Sequence, residues 1–202
     1  MAIPRTHQAS FTPGEIEFIA GSELISIIPK IKIPRLHFIQ GSFGPFQPPL
    51  AVKVPVWLAL IMKKNSKCSI LCPEWLNIEY LKKRHEEEEK EEEFSKLPFH
   101  YMELSQMLLE AAEDDIPDSE QIRKILKDLR ETRQAKSRAG LSVLDDKWLG
   151  MNNLSLMEIN EIRPFFSRAF NEIRKLNVTD KKEEEYGQGS TADNTFSRSY
   201  TT

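Results

Sequence analysis

The sequence predicts an α+β protein, mainly α, in which a small β-rich unit comes first and a helical unit follows. Two observations predict it. Up to about residue 54, short runs rich in Ile and Val are broken by prolines and glycines, the pattern of short strands joined by tight turns. From Pro55 onward, apolar residues recur at three- and four-residue steps, which is the spacing of helices with one buried face. With 40% apolar and 29% charged residues in 202, a real core fits under a densely charged surface.

Taken in order, Phe11-Thr12-Pro13-Gly14-Glu15-Ile16 carries a helix start. Thr12 caps, Pro13 suits the first turn, Glu15 closes a capping box and Phe11 staples to Ile16. This helix reaches about Ala20 and stops at Gly21. Leu24 to Ile28 and Ile31 to Gln40 read as short strands broken at Pro29 and Pro34. The stretch from Gly41 to Pro49, with two glycines and three prolines, suits neither helix nor central strand and is expected as a structured loop. Leu50 to Val54 alternates again as a strand.

Pro55 fits a first helical position, and Val56 to Lys64 reads as a mostly apolar, buried helix. Cys68 to Leu71 is a further strand candidate, and Pro73-Glu74-Trp75-Leu76 opens a helix running into an acidic stretch. Met102 to Ala112 carries a stripe of Leu104, Met107, Leu108 and Ala111. Asp118 caps a helix from Ser119 to Arg138 whose stripe is Ile122, Ile125, Leu126 and Leu129. In the last helix Ser155 and Glu158 form a structural capping box, with Leu154 able to staple onto Ile159. Ile159, Ile162, Phe166, Ala169, Phe170, Ile173 and Leu176 continue that stripe, and Pro164 predicts a kink or a fresh start within it. The chain then turns polar. The expected organisation is 1–54 for the β-rich unit, 55–178 for the helical unit and 179–202 for a disordered polar tail.

The motifs of catalysis are missing. Gly41 and Gly44 lack the third glycine and the lysine of a phosphate loop, and His7, His37, His85 and His100 stand at no recognisable spacing from a nucleophile or acid. Neither a catalytic residue, a cofactor nor a metal site is expected. Cys68 and Cys72, four residues apart in an extended segment, would be separated by about 13 Å, too far for a disulfide. No small-molecule substrate is indicated. The longest apolar run, Val54 to Met62, is too short to cross a membrane, and the start of the chain lacks a secretory signal pattern. An intracellular protein follows.

Charge adds little: 28 basic against 31 acidic side chains leave −3, no field for gathering polyanions. The run Glu86 to Glu93 reads as a solvated helix end or an exposed loop. The helix from 119 to 138 is basic, and Arg123, Lys127 and Arg130 share its outward stripe. That stripe suits solvent or an acidic partner; a weak DNA contact is the alternative. Apolar surplus is more telling. Phe46, Trp57, Trp75, Phe165, Phe166 and Phe170 are among many large rings, and two-sided apolar helices would need other chains to cover them.

Several motifs also carry a resemblance. Gly44-Pro45-Phe46, the run from Val54 to Leu60, the step from Lys67-Cys68 to Pro73-Glu74-Trp75, and the segment Asn153 to Asn160 are similar to the "two" subunits of the eukaryotic GINS complex. The likeness runs from about Gly14 to Leu176. It implies an α+β fold with a β-rich B domain ahead of a helical A domain, and a heterotetramer with three other GINS subunits. It further implies a non-catalytic role in DNA replication in the nucleus, as part of a replicative helicase with the minichromosome maintenance hexamer and its cell-division-cycle partner. In that setting Phe46, Trp57, Trp75, Leu154, Ile159, Phe165, Phe166 and Phe170, with the cations Arg123, Lys127 and Arg130, are the interface candidates.

Overall fold

The computed structural model describes residues 10–140, 152–169 and 171. Helix α1 (Pro13–Ala20) opens the chain with the expected box: Thr12 accepts from the Glu15 backbone N–H while the Glu15 carboxylate accepts from the Thr12 backbone N–H. After the Gly21 cap come strand β1 (Leu24–Pro29), the short pair β2 (Leu36–Phe38) and β3 (Gly41–Phe43), and β4 (Val52–Pro55). Helix α2 (Val56–Lys64) leads to β5 (Cys68–Ile70), then α3 (Ile78–Lys90), α4 (Tyr101–Ala111), a 3-10 turn (Glu113–Asp115) and α5 (Ser119–Gly140). A further helix, α6, spans 156–169.

The sheet is antiparallel in the order β4-β1-β5, with Ile25 opposite Val54 and Ile27 opposite Ile70. Strand β1 alternates strictly. Ile25, Ile27 and Pro29 are buried against α2 while Leu24, Ser26 and Ile28 face outward, as period-two geometry demands. Strand β5 lies beyond residue 54 yet pairs with β1, so α2 and β5 pack into the β-rich unit. At the open edge of β5, the Asp115 carboxylate accepts from the Ile70 N–H at 2.7 Å and holds Lys63 at the same distance. This blunts an edge that would otherwise offer unpaired donors.

Several expectations are corrected. The segment from Ile31 to Gln40 is mostly irregular, with one bridge between Ile33 and Phe46 before the three-residue β2; Pro34 interrupts the ladder by removing a donor. Gly41 to Phe43, expected as loop, pairs with β2 as a small hairpin. Pro55 ends β4 with an extended backbone and precedes α2 instead of starting it. Pro73 to Leu76 is a turn, and α3 starts at Ile78, where the Asn77 side chain caps the Glu79 N–H. Helix α6 runs through Pro164 without a fresh start. On α4 the buried leucines are Leu108 and Leu109, while Leu104 and Met107 are half-buried and Ala111 is exposed. On α2, Val56, Leu58, Ala59 and Met62 are buried but Ile61 is exposed, so the helix is one-sided. Cys72 lies past β5, and both thiols are free. Phe170 and the residues after 171 lie outside the described residues, as does Trp148.

Candidate assembly surfaces and the buried arginine hub

The helical unit is organised around a charged group. Arg133, on the inward face of α5, is 1% exposed. Its guanidinium forks onto Glu158 of α6, with Nε donating to Oε1 at 2.6 Å and Nη2 to Oε2 at 3.0 Å. Nη1 donates to Glu88 of α3 at 2.9 Å and to the Ser95 carbonyl at 3.1 Å, and Nη2 also reaches the Asn153 carbonyl at 2.7 Å. The Phe94 ring lies 5.0 Å from the guanidinium carbon. Tyr101 of α4 donates its hydroxyl to Glu158. One planar side chain thereby ties together four helices, a geometry that the five fixed donors of arginine suit and lysine does not.

Each carboxylate in the hub is held ionised against its burial. Burial alone would raise the pKa of Glu88, yet bonds from Lys136 and Ser95 and the charge of Arg133 bring it below the ordinary value. Glu158 likewise is raised by burial and lowered overall by Arg133 and by the Ser155 donors. The acidic run is a solvated helix end followed by an exposed stretch, with α3 ending at Lys90 and Glu86, Glu89 and 91–93 exposed, except that Glu88 is 1% exposed. Lys136 of α5 closes the arrangement by bonding the carbonyls of Glu91 and Glu93 just past the end of α3.

The capping box at the start of α6 is part of this hub. Ser155 Oγ accepts from the Glu158 N–H at 3.3 Å, and Glu158 Oε2 accepts from the Ser155 N–H at 2.8 Å. Glu158 therefore caps and pairs at once. Ser155→Ala is expected to cost about 1 kcal/mol, read as a lower midpoint in thermal melts of the assembled protein.

Beside the hub, Glu103 of α4 is 1% exposed and faces the first turn of α6 near the Met157 backbone, with no well-aligned hydrogen bond to either oxygen. Burial raises its pKa above 4.5, and the nearby charges of Glu158 and Glu17 add to the shift. Its contribution to stability is present below the ordinary value of 4.5 and is lost as pH rises through the folded value. Glu103→Gln is expected to raise the melting temperature near pH 7 and to lose that gain near pH 4, measured as paired melts across that range.

Of the interface candidates, Phe46 is fully buried in the chain's own core and bridges to Ile33, and so is unavailable to a partner. Trp57 is half-buried. Its Nε1 donates to Gln40, and its ring meets Phe38 edge-on at 5.2 Å. Trp75 is half-buried against the core. Leu154 and Phe166 are buried, Ile159 is half-buried, and Phe165 is 56% exposed beside Phe166 in an edge-to-face pair. The cations of the α5 stripe are engaged within the chain: Arg123 with the Leu109 carbonyl, Lys127 with Glu131, and Arg130 with Glu161 at 2.6 Å.

One exposed apolar feature was not legible in the sequence. A groove between α1, the β2–β3 hairpin, α2 and α4 is lined by Phe18, Phe38, Ile39, Trp57, Leu60 and Met107. Phe18 is 78% exposed and Ile39, at the hairpin turn, is 108% exposed. Among the described residues no cluster of side chains suits a metal ion, and no helix is long and apolar enough to cross a membrane.

A β-rich unit seated on a helical bundle, with its polar investment buried in a structural hub and large apolar side chains left open at the surface, defines a subunit built for assembly. A family model described as the PSF2 N-terminal domain matches residues 12–71, and one described as the GINS complex protein helical bundle domain matches residues 75–177. The chain is 42% identical over 183 residues to the DNA replication complex GINS protein psf2 of Schizosaccharomyces pombe, covering 91% of this chain and 100% of that relative. It is 44% identical over 178 residues to the PSF2 protein of Candida albicans, covering 87% and 88% of the two chains. With the human PSF2 protein it shares 42% identity over 166 residues, covering 80% and 90%. The chain belongs to the PSF2 family of GINS subunits.

Proposed function

We propose that this chain is a non-catalytic structural subunit of a GINS DNA replication complex, working in the nucleus beside three other GINS subunits. Its similarity to PSF2 proteins along 80% or more of its length supports the reading. The observation that carries it structurally is the open groove at Phe18, Phe38, Ile39 and Trp57, apolar surface that water penalises until another chain covers it. Within that complex we assign the chain to a replicative helicase that also holds the minichromosome maintenance hexamer and its cell-division-cycle partner. The division between β-rich and helical units is proposed to fall after β5, since that strand completes the sheet.

Co-expression tests this directly. Expressed alone, the chain should aggregate; expressed with the other three GINS subunits, it should purify in one-to-one stoichiometry with each. A well-behaved monomer that ignores them would overturn the proposal. The DNA-binding alternative on α5 has less to draw on, because Arg123, Lys127 and Arg130 are each bonded or paired within the chain.

A further inference from the structure

The outward face of the sheet carries exposed cations at one end and exposed apolar side chains at the other. Along β1, Leu24, Ser26 and Ile28 face away from α2, and the next outward position is Lys30. The ladder pairs Ile28 with Ser69 and Pro29 with Cys68, and the Lys30 N–H donates to the Lys67 carbonyl at 2.8 Å. Lys30 and Lys67 are therefore direct cross-strand neighbours on that face. Both are exposed, and among the described residues neither forms a salt bridge, although Lys30 adds, after Lys63, to the positive charge that lowers the pKa of Asp114. Like charges directly opposite one another destabilise a sheet. Lys53 adds a third exposed cation to the same face, opposite Ser26.

At its other end this face is apolar. Leu24, Leu71 and Phe99 are 62%, 38% and 48% exposed, and with Trp75 they line one depression that also includes Ser26 and Lys53. Glu23 and Glu74 border that depression too, Glu23 lying 3.8 Å from His100. Nucleic acid would engage the lysines and leave the apolar end uncovered, since phosphates gain nothing from leucines. A protein segment that presents apolar side chains and then carboxylates matches both ends in register.

We propose that the outward face of the β4-β1-β5 sheet is a docking surface for an extended protein segment, apolar over Leu24, Leu71 and Phe99, where Lys53 flanks it, and acidic over Lys30 and Lys67. It is separate from the groove at Phe18 and Ile39 and stands whether or not that groove meets GINS subunits.

The test uses the full chain in its assembled complex and two fluorescent probes: a peptide of three leucines followed by four glutamates, and a duplex oligonucleotide. The peptide should bind, more weakly as salt rises. Lys30→Glu should weaken it by roughly tenfold, and Leu24→Ser should weaken it as well. The same Lys30→Glu should leave the complex intact, because position 30 is exposed and its backbone bond to the Lys67 carbonyl is kept. A peptide that does not bind, or that binds Lys30→Glu unchanged, overturns the proposal. So does a duplex that binds more tightly than the peptide and responds to the same substitution, which would make the face a nucleic-acid contact.

Discussion

Arg133→Ala should lower the stability of the helical unit by about 3 to 5 kcal/mol, the largest effect expected of any polar substitution in the chain. The loss does not measure the worth of the ion pair. A buried arginine is expensive to desolvate, and replacing a whole ionic hub with well-packed apolar residues is often neutral. Removing Arg133 alone is different, because it strands Glu158, at 5% exposure, without its cation and leaves Glu88, at 1% exposure, with Lys136 as its remaining one. Their depressed pKa values reverse the pH response as well. In the intact protein both carboxylates contribute stability above about 4.5, and that contribution fades as pH falls through their folded values. In the variant Glu158 is a buried anion without its cation, whereas Glu88 keeps Lys136 at 2.8 Å, so the Glu158 contribution should reverse and stability should improve as acid neutralises that carboxylate. Melts of the assembled complex across pH check both the depth of the loss and the changed slope.

Phe46→Ala should cost a similar amount, about 3 to 5 kcal/mol, or a drop on the order of 10 °C in melting temperature. The ring is fully buried and locks the loop after β3 to the sheet unit: its backbone pairs with Ile33, and the position of Gly44 brings that residue's backbone against it. Gly44 has φ +96, and a Cβ there would stand 3.0 Å from two carbons of the Phe46 ring. Only glycine fits that backbone and that space together. The expectation that Phe46 is an interface residue thus gives way to a core role, whereas Trp57, half-buried and lining the open groove, should weaken assembly more than the fold when truncated.

Much of the fold was legible because local rules and global packing agree. Thr12 with Glu15, the apolar run of α2 and the box at Ser155 each state a helix start in neighbouring residues, and each forms at that place. The Ile-rich strand starting at Leu24 was equally plain. What was not legible depends on contacts distant in sequence. Nothing local separates Glu88 from the glutamates around it, or Arg133 from the other cations of α5; only the helix crossings bring them together, 45 residues apart. Helical phase carries the one signal: Arg133 follows Ile122, Ile125, Leu126 and Leu129 at helical spacing, so it continues the buried stripe. Prolines misled in the other direction. Pro55 and Pro73 fit a first helical turn equally well in sequence, but strand pairing and a turn claim them.

The groove was missed for the same reason. Phe18, Ile39 and Trp57 belong to three elements, and only the hairpin folding over α2 makes one surface of them. The central claim is that this surface holds a neighbouring subunit. The most direct test is co-purification with the three other GINS subunits after Ile39→Asp and Phe18→Asp, substitutions at positions exposed enough to leave the fold intact. The account predicts that the doubly substituted chain is lost from the complex while the other three subunits remain soluble together or fail with it. A stoichiometric four-subunit complex, recovered in wild-type yield, would contradict it.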